Sequence, residues 1–280
     1  MAWILVTPSS RGIGHAITRH LLQHTPPSIP IVATARSKDL ASVRDSLLSN
    51  LDLDSQSPSR LDIQQVDLLS ESSVKDLATY CKDRYQKSPT DKSNPSHLRL
   101  GICLPGMLQP EKSPAQIDHA AALDTLKLNL LAPMMLLKHL HAFLPKKNAN
   151  LSPVDGLPVT SAVLAFLSAR VGSITDNSLG GWYSYRASKA GLNQLVKSAD
   201  IYQKMQSAEK AVVVGLHPGT VKTGLSKEFW ANVKKEKLFE PEYAAECLVD
   251  VLKKGGSGEK GGVDGFRGRC WDWAGKEVPP

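Results

Sequence analysis

The stretch VTPSSRGIG, residues 6–14, decides how the rest of this 280-residue chain is read. It follows the short apolar run WILVT at residues 3–7 and opens a segment of helical period at residues 12–24. Thr7, Gly12 and Gly14, spaced this way between a strand and a helix, suit a turn whose backbone approaches a pyrophosphate. The helix N-terminus adds free N–H groups and the positive end of its dipole. Pro8 stands where such a loop carries glycine; it has no N–H to offer and its φ is fixed near about −65°. Ser9 and Ser10 keep their hydroxyls and Arg11 its charge. The turn reads as a dinucleotide cradle with one donor removed, against the alternative of an ordinary tight strand-to-helix turn.

Outward from that turn, short runs rich in Val, Ile and Leu alternate with longer segments of helical period. Strands are expected at residues 30–36, 61–68, 98–104, 159–168 and 211–218, and helices at 39–50, 71–86, 117–143 and 182–205. Continuous apolar runs are the mark of strands buried on both faces. The alternation then gives an α/β architecture, a doubly wound parallel sheet of Rossmann type, as one domain over residues 1–280. Polar segments at 87–97, 146–158 and 254–263 read as surface loops.

Composition excludes several classes. No apolar run approaches about 18 residues, so no membrane partner is expected. The apolar residues start at Ala2 in a segment that reads as a strand, so no targeting segment is expected, and four scattered cysteines fit the expectation of reduced thiols in a cytoplasmic protein. The net charge of +7 is dispersed rather than clustered, which argues for a solvated surface and against nucleic acid.

Cofactor choice is read at the end of the second strand, where a carboxylate would bind a ribose diol and a basic residue a 2′-phosphate. The strand ends ATARSKD, with Arg36 and no acid before Asp39; Arg36 together with Arg11 suits a phosphate, which favours NADP(H).

The segment GGWYSYRASKAGLNQL, residues 180–195, sets Tyr185 and Lys189 four apart on one helix face. A cation beside a phenol favours phenolate, so Lys189 is expected to lower the Tyr185 pKa and make it a general acid or base nearer neutrality. Tyr183 lies off that face and serves as the control.

Together these residues resemble the short-chain dehydrogenase/reductase family over nearly the whole chain. TPSSRGIG matches its TGxxxGxG pattern except at Pro8, and Tyr185 and Lys189 match its YxxxK. SARVGSITDNSLGGWYSYRASKAGLN and the ending RCWDWAGKEVP look like its C-factor-like branch. The resemblance implies a cofactor set of Ser10, Arg11, Gly12, Ile13, Gly14, Arg36, Asp67, Asn129, Tyr185, Lys189, Pro218, Gly219, Val221 and Thr223. In it Asp67 lies against the adenine, and Val221 and Thr223, in HPGTVKTGL, meet the nicotinamide carboxamide. Asn129 supports a water relay to Lys189, which holds the ribose, while Tyr185 gives a proton to a substrate carbonyl as hydride arrives.

Two departures accompany the match. LPG at residues 104–106 lacks the family's asparagine, and SARVG at 168–172 puts Ala169 where the catalytic serine stands, leaving Ser168 or Ser173 to serve. The resulting expectation is an NADP(H)-dependent carbonyl reductase or alcohol dehydrogenase. Its substrate would be a small hydrophobic carbonyl or alcohol, met by residues 170–182 and by a lid at about 224–240 carrying Phe229 and Trp230 beside Trp182. A homodimer or homotetramer through the two long helices goes with the resemblance. The rival is a non-catalytic, dinucleotide-responsive binding or scaffold protein on the same fold, favoured by Pro8, Leu104 and Ala169.

Overall fold

The computed structural model describes residues 1–54, 57–86, 96–256 and 262–280. The strands are β1 (Ala2–Thr7), β2 (Ile31–Ala35), β3 (Leu61–Gln65), β4 (His97–Cys103), β5 (Ala162–Leu167), β6 (Ala211–His217), the short pair β7 (Thr220–Val221) and β8 (Leu238–Phe239), β9 (Cys270–Asp272) and β10 (Glu277–Val278). The helices are α1 (Gly12–His24), α2 (Leu40–Leu48), α3 (Glu71–Tyr85), α4 (His119–Leu126), α5 (Ala132–Leu140), α6 (Tyr183–Ser207), α7 (Pro241–Gly256) and α8 (Gly262–Phe266). Eight strands form one sheet in the order β3-β2-β1-β4-β5-β6-β9-β10, parallel throughout except for β10 against β9. The doubly wound parallel sheet read from the sequence is the observed architecture.

The alternation of side chains along each strand decides which layer it serves. Ile4 and Val6 of β1 join Ile17 and Leu21 of α1 and Leu248 and Leu252 of α7 on one face. Trp3 and Leu5 join Val74 of α3, Leu136 of α5 and Leu192 and Val196 of α6 on the other. Because both faces are covered, almost every central strand residue is buried, which is why these runs are uniformly apolar. Strand order reverses between β1 and β4, so the carboxyl ends of these two strands open the crevice in which such sheets bind ligands.

Several boundaries differ from the sequence reading, each for a local reason. β5 starts at Ala162 rather than at 159, because the hydroxyls of Thr160 and Ser161 donate to the carbonyl of Gly256 at 2.7 and 2.8 Å. The long helix at 117–143 runs from His119 to Phe143 but is divided by a π-turn at Lys127–Leu131. By length and composition this helix could cross a membrane; here Leu136 and Leu140 lie in the apolar layer beneath the sheet. Of the loop expected at 254–263, residues 254–256 are the end of α7 and 262–263 begin α8, while 257–261 lie outside the described residues. Residues 87–95 of the loop expected at 87–97 also lie outside them, and His97 opens β4.

The sequence reading did not assign α7, α8, β9 or β10. The C-terminal part is tied to the body by a buried ion pair, Arg267 Nε donating to Asp200 Oδ2 at 2.8 Å with both side chains 5% exposed. The other oxygen of Asp200 accepts the Val213 N–H at 2.9 Å, so one carboxylate links α6, β6 and the C-terminal extension. Removing one member of a buried pair leaves the other charge without compensation. Asp200→Ala is therefore expected to destabilise the fold by about 3–5 kcal/mol, measured as the loss of unfolding free energy in urea.

Candidate active site

The site grows from the turn after β1. The Leu104 N–H donates to the Thr7 carbonyl at 2.7 Å, and the Ser9 N–H to the Thr34 carbonyl at 2.7 Å, tying the ends of β4, β1 and β2 together. The Ser9 hydroxyl turns back onto the Val6 carbonyl at 2.7 Å, so it shapes the turn and is not free for a ligand. A Cβ on Gly14 would lie 2.0 Å from the Pro8 carbonyl oxygen; only glycine lets α1 start this close to β1. Gly12 has φ +57°, in the left-handed region that side chains disfavour.

Arg11, the residue capping α1, is exposed and gives no side-chain bond to the helix, and the first turn holds no acid. The α1 N-terminus thus carries neither a side-chain cap from Arg11 nor an acid of its own that would compete with an anion.

The loop after β6 closes on this turn. Val221 is buried in a small cluster with Phe239 and Ala244, and Ile13 and Trp273 pack against it. A Cβ on Gly12 would meet Thr223 Cγ2 at 3.3 Å. Gly12, Ile13, Val221 and Thr223 are thus brought together from residues about 200 apart in sequence. Pro218 and Gly219 lead into that loop, Gly219 with φ +76°.

On the opposite flank Arg36 is exposed just beyond β2, and the first acid after it, Asp39, caps α2 by accepting the Ser42 N–H at 2.9 Å. No carboxylate remains at the position that would bind a ribose diol. Asp67 is exposed beyond β3, its carboxylate accepting the Leu69 N–H at 3.0 Å.

Tyr185 and Lys189 sit on one face of the first turns of α6, both buried. The Lys189 ammonium is 5.8 Å from the Tyr185 ring centre and donates to the Leu167 carbonyl at the end of β5, 2.7 Å away. Burial dominates both groups: it pushes Tyr185 up to about 12 and Lys189 down to about 8. This corrects the expectation of a lowered tyrosine pKa. With the phenol desolvated, the neutral form of Tyr185 is the favoured one.

Asn129 lies in the π-turn of the long helix, fully buried. Its Oδ1 accepts the Met107 N–H at 2.8 Å, and its Nδ2 donates to the Met107 carbonyl at 2.9 Å and the Ser188 hydroxyl at 3.0 Å. It stitches the segment after β4 to α6 one residue before Lys189. A Cβ on Gly106 would be 3.9 Å from Lys189 Nζ, 4.0 Å from Asn129 Oδ1 and 3.7 Å from Leu225 Cδ1, so these groups converge on one point.

Ser168 is engaged by α6. Its hydroxyl donates to Asn193 Oδ1 at 2.6 Å, on the face of α6 two turns beyond the tyrosine. The Ser173 hydroxyl donates to the Pro280 carbonyl at 3.2 Å and accepts the Asp176 N–H at 3.0 Å. Over the tyrosine lie aromatic groups instead. Trp182 meets Tyr185 edge-on at 6.1 Å and Phe229 at 5.0 Å, the latter from the 3₁₀ turn Lys227–Asn232. Trp230 turns away, its indole N–H donating to Ser226 Oγ at 2.8 Å.

Sequence reasoning missed Glu111, which is buried at the start of α6. Its backbone carbonyl accepts the Trp182 N–H at 2.6 Å and its Oε2 the Ser184 N–H at 3.2 Å. Nothing near it in LQPEKS marks it as more than a loop acid.

No family model matches the chain. It is 25% identical over 272 residues to a benzil reductase of the (S)-benzoin-forming kind from Bacillus cereus, covering 90% of this chain and 94% of the other. Over 87 residues it is 37% identical to the C-signal protein of Myxococcus xanthus, 27% of this chain and 51% of that one. Among solved structures it superposes on the NADPH-bound carbonyl reductase from chicken fatty liver with a TM-score of 0.77, at 24% identity over 99% of this chain and 98% of the other. The resemblance to the short-chain dehydrogenase/reductases and to their C-factor-like branch is borne out.

The Asn129 network has a measurable consequence. Asn129→Ala would leave the Met107 N–H and carbonyl unsatisfied inside the protein, a loss of about 1–3 kcal/mol for such a buried group. Urea unfolding checks the value.

Proposed function

We propose that this chain, a Rossmann-type relative of the short-chain dehydrogenase/reductases, is an NADP(H)-dependent oxidoreductase that interconverts a small hydrophobic carbonyl and its alcohol. The observation that carries the reading is the placement of Tyr185 and Lys189 on one face of α6 with Asn129 near the lysine, together with an α1 N-terminus that its own cap residue leaves without a side-chain bond. The residues present fit the dinucleotide. The N-terminus of α1 with Ser10, Arg11, Gly12, Ile13 and Gly14 would hold the pyrophosphate, and Arg36 the 2′-phosphate, since Asp39 is engaged with α2. Asp67 would lie at the adenine, and the loop of Pro218, Gly219, Val221 and Thr223 at the nicotinamide. NADPH bound there supplies a hydride.

Tyr185 donates its phenolic proton to the carbonyl oxygen, and its raised pKa keeps that proton in place at neutral pH. Lys189 holds the ribose and supplies the positive charge beside the phenolate left behind. Asn129 fixes the backbone of Met107 and the Ser188 turn against which Lys189 stands. Trp182 and Phe229 offer the substrate an apolar, aromatic wall, with residues 224–240 as the lid; the relative named as a benzil reductase supports an aromatic carbonyl. Ser168, engaged with Asn193, orients that residue, and the developing charge is left to Tyr185 and Lys189.

The same reading takes residues 1–280 as one domain in a cytoplasmic protein. It is a homodimer or homotetramer, which the exposed Leu126, Leu131 and Met134 and the exposed Ile201 and Met205 of α6 support.

Two expected outcomes follow from these assignments. Tyr185→Phe lowers carbonyl reduction by about 10²–10⁴-fold, the usual worth of a positioned proton donor, while Tyr183→Phe retains most of it. Saturating NADPH raises the melting temperature of the wild type and of both variants, by an amount equivalent to roughly 2.7 kcal/mol at a hundred times its Kd, and NADH raises it less. Equal losses from the two substitutions would refute the role of Tyr185; no stabilisation by either dinucleotide would favour the scaffold reading.

The pH dependence has a definite sign. Burial lowers Lys189 to about 8, so its ammonium is present below that pH and lost above it, whereas Tyr185 keeps its proton up to about 12. The kcat/KM for NADPH, which reports the free enzyme, is expected to fall as pH rises through about 8. A profile flat from neutrality through that value would refute the assignment of Lys189.

A further inference from the structure

Helix α6 carries the proton donor in its first turn yet has no cap of its own. Gly180, Gly181 and Trp182 precede it with φ of +64°, +66° and +51°, three consecutive left-handed residues. Trp182, at the cap position, has no side-chain acceptor for the helix N–H groups, and the first turn holds no acid. The hydroxyl of Ser184 is buried without a hydrogen-bond partner, so it does not cap the turn either.

The only described groups that take these N–H bonds from outside the helix belong to Glu111, 5% exposed, in the segment between β4 and α4. Its backbone carbonyl accepts from Trp182 at 2.6 Å and its carboxylate from Ser184 at 3.2 Å. Its carbonyl also bounds Gly181, whose Cβ would come within 3.3 Å of it. Tyr185 follows Ser184 directly, and Trp182 is the ring that meets it edge-on. One residue thus holds both neighbours of the phenol, from the same segment that Asn129 fixes at Met107.

We propose that Glu111 is a positioning residue for Tyr185. Its carboxylate clamps the first turn of α6 and so fixes where the phenol stands relative to Lys189, one turn further on. A carboxylate at a helix N-terminus is favoured by the dipole, and a charged acceptor makes the stronger bond to the N–H. Glu111 touches no reacting atom; it acts through the backbone of residues 182–184. The inference rests on Tyr185 being the proton donor of the proposed reaction.

The test compares Glu111→Ala with Glu111→Gln, since the glutamine carbonyl can still accept the Ser184 N–H. For Glu111→Ala, kcat for carbonyl reduction is expected to fall on the order of 10²-fold, as small misplacements of a reacting group do, while stabilisation by NADPH is unchanged because the cradle at residues 8–14 is untouched. Glu111→Gln recovers most of that loss. Amide hydrogen exchange at Ser184 rises roughly tenfold in the alanine variant, the worth of one lost hydrogen bond, and stays near wild type in the glutamine variant.

Wild-type turnover in Glu111→Ala would overturn the proposal. So would a parallel loss of turnover and NADPH stabilisation that glutamine does not rescue, because Glu111 would then serve the fold as a whole. A wild-type protein that turns over no carbonyl would defeat the reaction reading by itself; in that case exchange at Ser184 decides the clamp, faster in Glu111→Ala supporting it and unchanged overturning it.

Discussion

The contact on which the site depends is the bond from the Lys189 ammonium to the Leu167 carbonyl, where α6 crosses the carboxyl end of β5. It places a cation in a desolvated position that is tolerable only because a backbone oxygen accepts its proton. The approach of helix to strand is close: a Cβ on Gly172 would lie 2.7–2.9 Å from Lys189 atoms, so the turn after β5 can pass only as glycine. Farther along α6, Asp200 takes the Val213 N–H and the Arg267 guanidinium. Ahead of it, Glu111 takes the N–H groups that the first turn cannot satisfy. The helix is fixed at its start, at Lys189 and near its end, and the height of Tyr185 above the sheet follows from those three attachments.

Burial decides the electrostatics of the pair more than their mutual approach does. A phenol and an ammonium held 5.8 Å apart, ring centre to nitrogen, and both withdrawn from water each shift toward the neutral form. The phenol then keeps a proton to give, and the ammonium sits within reach of its ordinary titration at only mildly basic pH. A field from one anionic ligand would favour the Lys189 ammonium and hold the Tyr185 phenol further toward its neutral form, which ties the chemistry of the pair to the occupancy of the crevice.

Much of the fold was legible in the primary structure because it follows from local pattern. The runs at β1, β2, β4 and β6 are continuous and apolar because both faces of the sheet are covered, and α1 lies at the residues its period indicates. α7 carries a comparable apolar face with Leu248 and Leu252, which the sequence reading does not assign. β9 and β10 are three and two residues long, too short for any period to show, and exist because the edge of β6 offers β9 a partner and β9 in turn offers one to β10. Of the candidate site, Tyr185, Lys189, Asn129 and the two glycines of the cradle were readable from spacing and resemblance. The direction of the tyrosine shift was not, because desolvation depends on how deeply the packed chain buries the phenol.

By itself, then, the sequence determined the layer order, the cradle after β1 and the residue types that could move a proton, since periodicity and motif spacing are properties of neighbouring residues. Only the tertiary structure decided which hydroxyls and carboxylates reach the site. Ser168 turns to Asn193, one turn beyond Lys189 on α6. Asp39 is taken up by a helix cap, leaving Arg36 without an acidic rival. Glu111 crosses from a loop more than 70 positions away to close the start of α6. Each of these outcomes depends on which unsatisfied backbone group lies nearest in space, and that is set by packing rather than by order along the chain.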